Sequence, residues 1–241
     1  MNHNTLDIVL PCYNPVEDWT EQIVLSVQHI QADLPEVSLH IILVNDGSSQ
    51  GVSEEDINWL ERKLDRFTYI NQIVNQGKGA ALRAGVKSSQ SDLCIFTDID
   101  FPYTKDSFLK IYRALSEQKT DVAIGIKDDS YYQQLPSFRV KVSKFLRFLA
   151  RSFLGISITD TQCGLKGFNR AGKKHFLATT ISRYLADLEF IFLVDRDKSL
   201  HMKAYTIHLR EGVVFSKVNL KILFREGLNF LRVLFFSLFK R

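Results

Sequence analysis

Four times in its first hundred residues the chain repeats one pattern: a short apolar run, then a polar loop. The runs are Leu6–Leu10, Leu39–Val44, Tyr69–Val74 and Leu93–Thr97, and the loops that follow them read PCYNP, NDGSS, NQGKG and DIDFPYT. Runs rich in Ile, Val, Leu and Phe and bounded by turn residues read as buried strands of an α/β sheet. Helical segments between them, one starting near Asp18 after Pro11 and Pro15 and another at Glu54–Arg66, complete successive βα units of a doubly wound domain. Such a sheet collects its loops at one edge, outside the carboxyl ends of its strands, where open α/β folds bind ligands. With 241 residues, 45% of them hydrophobic, and no linker or repeat, one main domain is expected.

The loops carry the chemistry. Asp98 and Asp100 lie two apart, so on a chain that is still extended their side chains leave from one face. Two carboxylates held that close need a cation between them or a proton on one. Hard oxygen ligands of this kind suit Mg²⁺ or Mn²⁺ completed by water and substrate phosphates. A solvated loop with two acids is the plain alternative for an isolated D-x-D. The segment Asn75–Gly85, NQGKGAALRAG, is neither a P-loop nor a dinucleotide fingerprint, since Leu82 stands where a third glycine would be. It reads as a helix N-terminus with Lys78 and Arg83 nearby, an arrangement that favours a diphosphate or nucleotide. NDGSS, at the end of the second strand, is either a ligand loop or an ordinary Asn/Asp/Gly turn.

Past these units, Lys105–Gln118 is a predicted helix and Asp121–Ile126 a further strand. Ser137–Phe153 shows apolar residues at helical spacing, and Ser137–Ser152 carries Arg139, Lys141, Lys144, Arg147 and Arg151 without an acid. Thr159–Arg170 is polar, glycine-bearing and expected to be irregular, while Asp187 and Glu189 stand in an apolar setting, either on an exposed amphipathic face or as functional acids. Lys217–Arg241 holds six basic residues against Glu226 and interleaves them with phenylalanine. The two basic segments sum to +10 in a chain of net charge +4, leaving −6 elsewhere. That asymmetry points to a localised anionic partner, and the aromatic content favours a membrane surface over nucleic acid. The tail reads as an amphipathic helix lying in the membrane interface, packing in a homo-oligomer, or docked on its own domain. No run is long and apolar enough for a transmembrane helix, and neither a signal peptide nor an N-terminal anchor is expected. Cys12, Cys94 and Cys163 are widely spaced and odd in number, against a disulfide framework and in keeping with a reducing cytosol.

The series DIVLPCYN, ILVNDGSS, NQGKGAALRAG, FTDIDFPYT, DTQCGLKGFNR, DLEF and REGVVFSK resembles family 2 glycosyltransferases of the GT-A fold. Within them it is most similar to the polyprenyl-phosphate branch, the dolichyl-phosphate glucose and mannose synthases, over about Leu6 to Lys217. The resemblance implies a mixed, mostly parallel sheet flanked by helices over residues 1–216; the tail over 217–241, read above as an amphipathic basic helix, departs from those synthases, which often carry transmembrane helices there. It implies an inverting transfer from a UDP- or GDP-linked sugar to a polyprenyl phosphate, or alternatively to a glycan hydroxyl, by a protein peripheral on the cytoplasmic membrane face; a membrane-bound nucleotide-binding module is the non-enzymatic rival. By the same resemblance Pro11, Tyr13, Asn14, Asp46 and Lys78 line the nucleotide-sugar site, Asp98 and Asp100 carry the divalent cation, and Gln162 lies near the sugar. Arg139, Ser143, Arg210 and Lys217, with Ser216, match segments that meet an acceptor phosphate. Asp187 and Glu189 match a D-x-E element that serves as structural support or acceptor contact; Asp187 is the candidate base if the acceptor is a hydroxyl. The chain departs from its relatives at Pro15, where many carry Glu, and at Pro102, where mannose-type synthases can place a further metal ligand.

Overall fold

The computed structural model describes residues 5–16, 18–127, 140, 144–145, 147–158, 160–213, 227, 229–231 and 233–235. Of the expected site residues, Arg139, Ser143, Ser216 and Lys217 lie outside the described residues.

The repeated pattern produces β1 (Thr5–Cys12), α1 (Trp19–Asp33), β2 (Ser38–Asp46), α2 (Glu54–Lys63), β3 (Phe67–Gln72), α3 (Lys78–Ser88), β4 (Leu93–Phe96) and α4 (Lys105–Ser116). After β5 (Val122–Lys127) come a π-helical turn at Ala150–Leu154, β6 (Lys166–Phe168), α5 (Arg170–Leu177), α6 (Ala186–Arg196) and β7 (Met202–Ile207). The seven strands form one sheet in the order β3-β2-β1-β4-β6-β5-β7. The first four strands are mutually parallel and β7 runs parallel to β5, whereas β6 is antiparallel to both β4 and β5.

Strand ends differ from the sequence expectation for identifiable reasons. β1 continues through Pro11 to Cys12, paired with β2 up to Asn45. The Val9 carbonyl accepts the Thr97 amide on the β4 side, so Pro11, two residues on, turns its missing N–H toward the side where β4 has already ended. β3 begins two residues earlier than Tyr69 and stops before Ile73 and Val74, which are exposed. A capping box starts α2, with Ser53 Oγ accepting from the Asp56 amide and the Asp56 carboxylate from the Ser53 amide. Thr159–Arg170 is not irregular throughout, because β6 forms inside it. Three residues, one of them glycine, carry no legible period, and only the open edges of β4 and β5 make them a strand.

The sheet is covered on both faces. One core joins α1, α2 and α4 to the side chains of Leu6, Ile8, Ile41, Leu43 and Ile95. The other joins α3, α5 and α6 to Val9, Val44, Phe96 and Ile124. Its centre is the ring cluster of Phe96, Phe168, Phe176 and Phe190, with centroids 5.1–6.3 Å apart. Phe230 and Val233 from the C-terminal segment are buried in this second core at 5% and 2% exposure, while Leu231 and Phe235 face outward. The described tail is thus docked by one face on its own domain. All three cysteines are buried and free. Burial pushes the Cys12 and Cys94 thiols up to about 12, so both are inert packing groups.

Candidate active site

At the carboxyl edge of the sheet, Asp46 organises the loop that leads into α3. Its two oxygens accept the Gln76 amide at 2.7 Å, the Gly77 amide at 2.8 Å and the Asn75 side-chain nitrogen at 3.0 Å. Next to it Asn45 donates to Tyr69 and Asn71 and accepts the Ser48 amide. Asn14 stitches the loop after β1 to the loop after β2: its carboxamide oxygen accepts the Ser49 amide at 2.9 Å, and its own amide donates to Ser48 Oγ at 2.9 Å. Asn14 holds φ 45°, in the left-handed region that Asn tolerates. Pro11 stands at the end of β1, and Tyr13, beyond it, is exposed. The predicted nucleotide residues therefore meet on three adjacent loops, with Asn14 and Asp46 engaged in building those loops.

The Asp98/Asp100 pair lies on a turn. β4 ends at Phe96, and the turn closes when the Phe101 amide donates to the Asp98 carbonyl at 3.0 Å, with Phe101 at φ 43°. The extended backbone assumed for the pair is thus absent, because after the Thr97 amide makes its bond to the Val9 carbonyl the chain turns over residues 98–101. Asp98 is ion-paired to Lys78, the first residue of α3. Burial works to raise the Asp98 pKa, but the Lys78 charge, with Lys166 and Lys127 behind it, overcomes burial and holds the carboxyl below its usual range. For Lys78, burial acts to lower the pKa, and Asp98 and Asp187 outweigh it to keep the ammonium above its ordinary value. Asp100 is different: desolvation and the neighbouring Asp98 charge both push its carboxyl up. It is the acid of the pair that lacks a full countercharge.

Gly164 fits against Asp98 because it has no side chain; a Cβ there would lie 2.3 Å from Asp98 Oδ2. Its amide donates to the Tyr103 hydroxyl at 2.9 Å. Gln162, two residues earlier, receives the Lys127 ammonium on its backbone carbonyl at 3.0 Å. Arg210 fastens the acidic turn from the other side, donating from Nη2 to the Asp100 carbonyl at 3.0 Å, and its buried Nε has no hydrogen-bond partner. It also lines a cleft of about 360 Å³ with Ser26 and His29 of α1 and Thr97, Phe101 and Phe108. Arg210 is thus brought to the D-x-D turn.

Asp187 and Glu189 are both buried, which removes the exposed-face reading. Asp187 pairs at 2.9 Å with Lys166, a fully buried lysine whose ammonium also donates to the Cys163 carbonyl and stands 5.5 Å from the Phe96 ring centroid. Glu189 accepts the amides of Thr180 and Ile181 at 2.8 and 2.7 Å and the Thr180 hydroxyl at 2.9 Å, so it supports a loop. Sequence reasoning missed Lys166, Lys127 and Tyr103. Lys166 opens β6, a strand with no legible period, so its burial left no signal in the sequence.

Among the described residues no group of three or more His, Cys, Asp or Glu side chains could hold a metal ion. The donor set nevertheless fits a hard cation that draws most of its ligands from elsewhere: an undercompensated carboxylate, Asp100, beside a second carboxylate, Asp98, on the same turn.

A mostly parallel sheet with one antiparallel strand wedged beside β4, and acids and lysines gathered at its carboxyl edge, defines the GT-A class of glycosyltransferase folds. Residues 7–176 match the family described as Glycosyl transferase family 2, and the chain belongs to that family. Among curated proteins it is 25% identical over 206 residues to a dolichyl-phosphate beta-glucosyltransferase of Drosophila melanogaster, covering 80% of this chain and 63% of that protein. It is 28% identical over 197 residues to a dolichyl-phosphate beta-glucosyltransferase of Trichomonas vaginalis, covering 77% and 58%. The chain spans about three fifths of the length of the curated relatives it matches. Among solved structures it resembles the glucosyl-3-phosphoglycerate synthase of Mycobacterium tuberculosis in complex with Mn²⁺, uridine diphosphate and glucosyl-3-phosphoglycerate, with TM-score 0.65, 16% identity and coverage of 97% of this chain and 80% of that one.

Proposed function

We propose that the chain transfers a sugar, with inversion, from a nucleotide-diphosphate sugar to a polyprenyl phosphate at the cytoplasmic face of a membrane. The observation that carries this reading is the Lys78–Asp98 ion pair beside the undercompensated Asp100, at the loop edge of a GT-A sheet in a chain similar to dolichyl-phosphate glucosyltransferases. Lys78 would meet the diphosphate, Asp46 and Asn14 hold the loops around the nucleotide, and Asp100 with Asp98 would bind Mg²⁺ or Mn²⁺ together with phosphate oxygens. Such a cation, when bound, offsets the charge that gathers on the departing diphosphate. A phosphate acceptor is already anionic near neutral pH, so it needs orientation by cations, for which Arg210 and, outside the described residues, Arg139 are the candidates, more than it needs a base.

The rival reading, transfer to a sugar hydroxyl, asks Asp187 to take a proton. Its charge is committed to Lys166, and neutralising it would leave a fully buried ammonium without its counter-ion. That pairing favours the phosphate acceptor. Incubation of the purified chain with UDP-glucose, UDP-N-acetylglucosamine or GDP-mannose, Mn²⁺ and undecaprenyl or dolichyl phosphate is expected to yield a glycolipid that does not form in EDTA. Nucleotide-sugar binding without glycolipid, under conditions where a hydroxyl acceptor is glycosylated, would overturn the phosphate-acceptor assignment.

A further inference from the structure

The loop between α5 and α6 is clamped onto the start of α3 from three directions. From α6, Glu189 holds the Thr180 and Ile181 amides. From α3, Arg83 donates through Nη1 to Thr179 Oγ1 at 3.1 Å and to the Ile181 carbonyl, and through Nη2 to Ser182 Oγ at 3.4 Å. The Ser182 carbonyl in turn accepts the Ala80 amide at 3.0 Å, occupying a first-turn donor of α3. The glycines flanking Lys78 leave room for this contact. A Cβ on Gly77, at φ +104°, would lie 2.5 Å from the Ser182 oxygen, and one on Gly79 would lie 2.9 Å from the Arg183 oxygen. The motif G-K-G therefore does two things: it presents Lys78 to Asp98, and it lets the backbone of this loop close against the residues on both sides of that lysine.

Tyr184 stands at the end of this clamped loop, immediately before the buried Leu185 and the helix that carries Asp187. It is 45% exposed, and the two residues before it, Ser182 and Arg183, lie against the glycines that flank Lys78. A solvent-facing ring on a rigid loop pays little ordering entropy when it meets a ligand. Its apolar face with a hydroxyl at the tip matches a pyranose, which offers C–H groups on its faces and hydroxyls around its rim.

We infer that Tyr184 is a specificity-determining residue that contacts the transferred sugar, with Arg83 and Glu189 as the positioning residues that fix it. The inference rests on the transferase reading above, in which Lys78 meets the diphosphate; the sugar attached to that diphosphate then extends toward the loop, while the nucleoside lies on the other side, over Asp46 and Asn14. The ligand class at Tyr184 is the hexose of the donor.

The test uses the full chain with Mn²⁺. Calorimetric titration with UDP, UDP-glucose, UDP-N-acetylglucosamine, GDP and GDP-mannose gives the affinity that the sugar adds to each nucleotide and the preference among sugars. Tyr184→Ala is expected to weaken the preferred sugar nucleotide at least tenfold and to flatten the preference, while the affinity for the bare diphosphate stays within twofold. Tyr184→Phe keeps the ring and should lose only part of the preference; Arg83→Lys should lower it as well with Tyr184 intact. The expected thermal midpoint of Tyr184→Ala is unchanged, because the side chain is half exposed. Unaltered sugar preference in Tyr184→Ala, or an equal loss for UDP and UDP-glucose, overturns this inference and leaves the transferase reading standing. A wild-type chain that binds none of these nucleotides overturns both.

Discussion

Asp98 and Asp100 share a turn yet differ in what surrounds them, and their substitutions should differ accordingly. Asp100→Asn removes an acid whose carboxyl is pushed up by desolvation and by Asp98, so it should abolish transfer and leave the thermal midpoint unchanged. Asp98→Asn should abolish transfer too, but it strips Lys78 of its partner and should lower the midpoint measurably. Full transfer in either variant would contradict a metal role for the pair. Lys166 and Asp187 form the costlier pair because the lysine is entirely out of water. Lys166→Met or Asp187→Asn alone should destabilise the chain by about 3–5 kcal/mol, since each leaves one uncompensated group in the core. The double variant Lys166→Met/Asp187→Leu should cost less than the sum, as urea midpoints will show.

Between elements, a second junction that depends on charge lies at the opposite edge of the sheet. Asp7, fully buried at the start of β1, accepts the Gln90 and Ser91 amides at 2.6 and 2.8 Å and the Ser91 hydroxyl at 2.8 Å, and pairs with His40 of β2 at 3.0 Å. Burial opposes its ionisation, but His40 and the Ser91 and Ser89 groups prevail and hold the carboxyl well below its usual range. With the folded pKa depressed, the stabilisation is present above the unfolded value of about 3.9 and is lost as pH falls from there through the folded value. Asp7→Asn should therefore cost about 1.5–3 kcal/mol at neutral pH. Its stability should also fall less between neutral and strongly acidic pH than that of the wild type, a difference readable from urea midpoints at the two pH values. Here β1, β2 and the α3–β4 turn are joined by one carboxylate, so the same substitution should loosen hydrogen-exchange protection at Gln90 and Ser91 before it affects the opposite edge.

For the molecule as a whole, the distribution of charge and the two faces of the tail bear on where it works. No helix among the described residues is long and apolar enough to cross a membrane. Phe145, Phe148 and Phe153, beside Lys144, Arg147 and Arg151, are exposed, as are Leu231 and Phe235, whereas Phe230 and Val233 are part of the core. Truncating the tail would expose that core, so the membrane reading is better probed on its outer face. Leu231→Asp/Phe235→Asp should leave the thermal midpoint unchanged and reduce sedimentation with anionic liposomes several-fold. The remaining binding should fall with added salt, because Lys and Arg each contribute about 1 kcal/mol near an anionic leaflet. Wild-type protein that ignores anionic liposomes would remove the membrane role.

The repeated strand and loop pattern determined the sheet, its direction and the edge where the loops meet, because apolar runs and turn residues act locally and are written in consecutive positions. The positions of the two acids, the NQGKG segment and the NDGSS loop were legible for the same reason, although the turn on which the acids sit was not. What the tertiary structure decided depends on residues far apart in sequence. β6 is a strand only because β4 and β5 offer it open edges. Asp98 is paired because α3 starts with Lys78 at that point, and Asp187 is buried because Lys166 neutralises it. The glycines beside Lys78 read from sequence as the turn into a helix N-terminus; that a Cβ there would clash with the Ser182 carbonyl, the Ile181 carbonyl and Ala186 is a contact a hundred residues away, which no local pattern encodes.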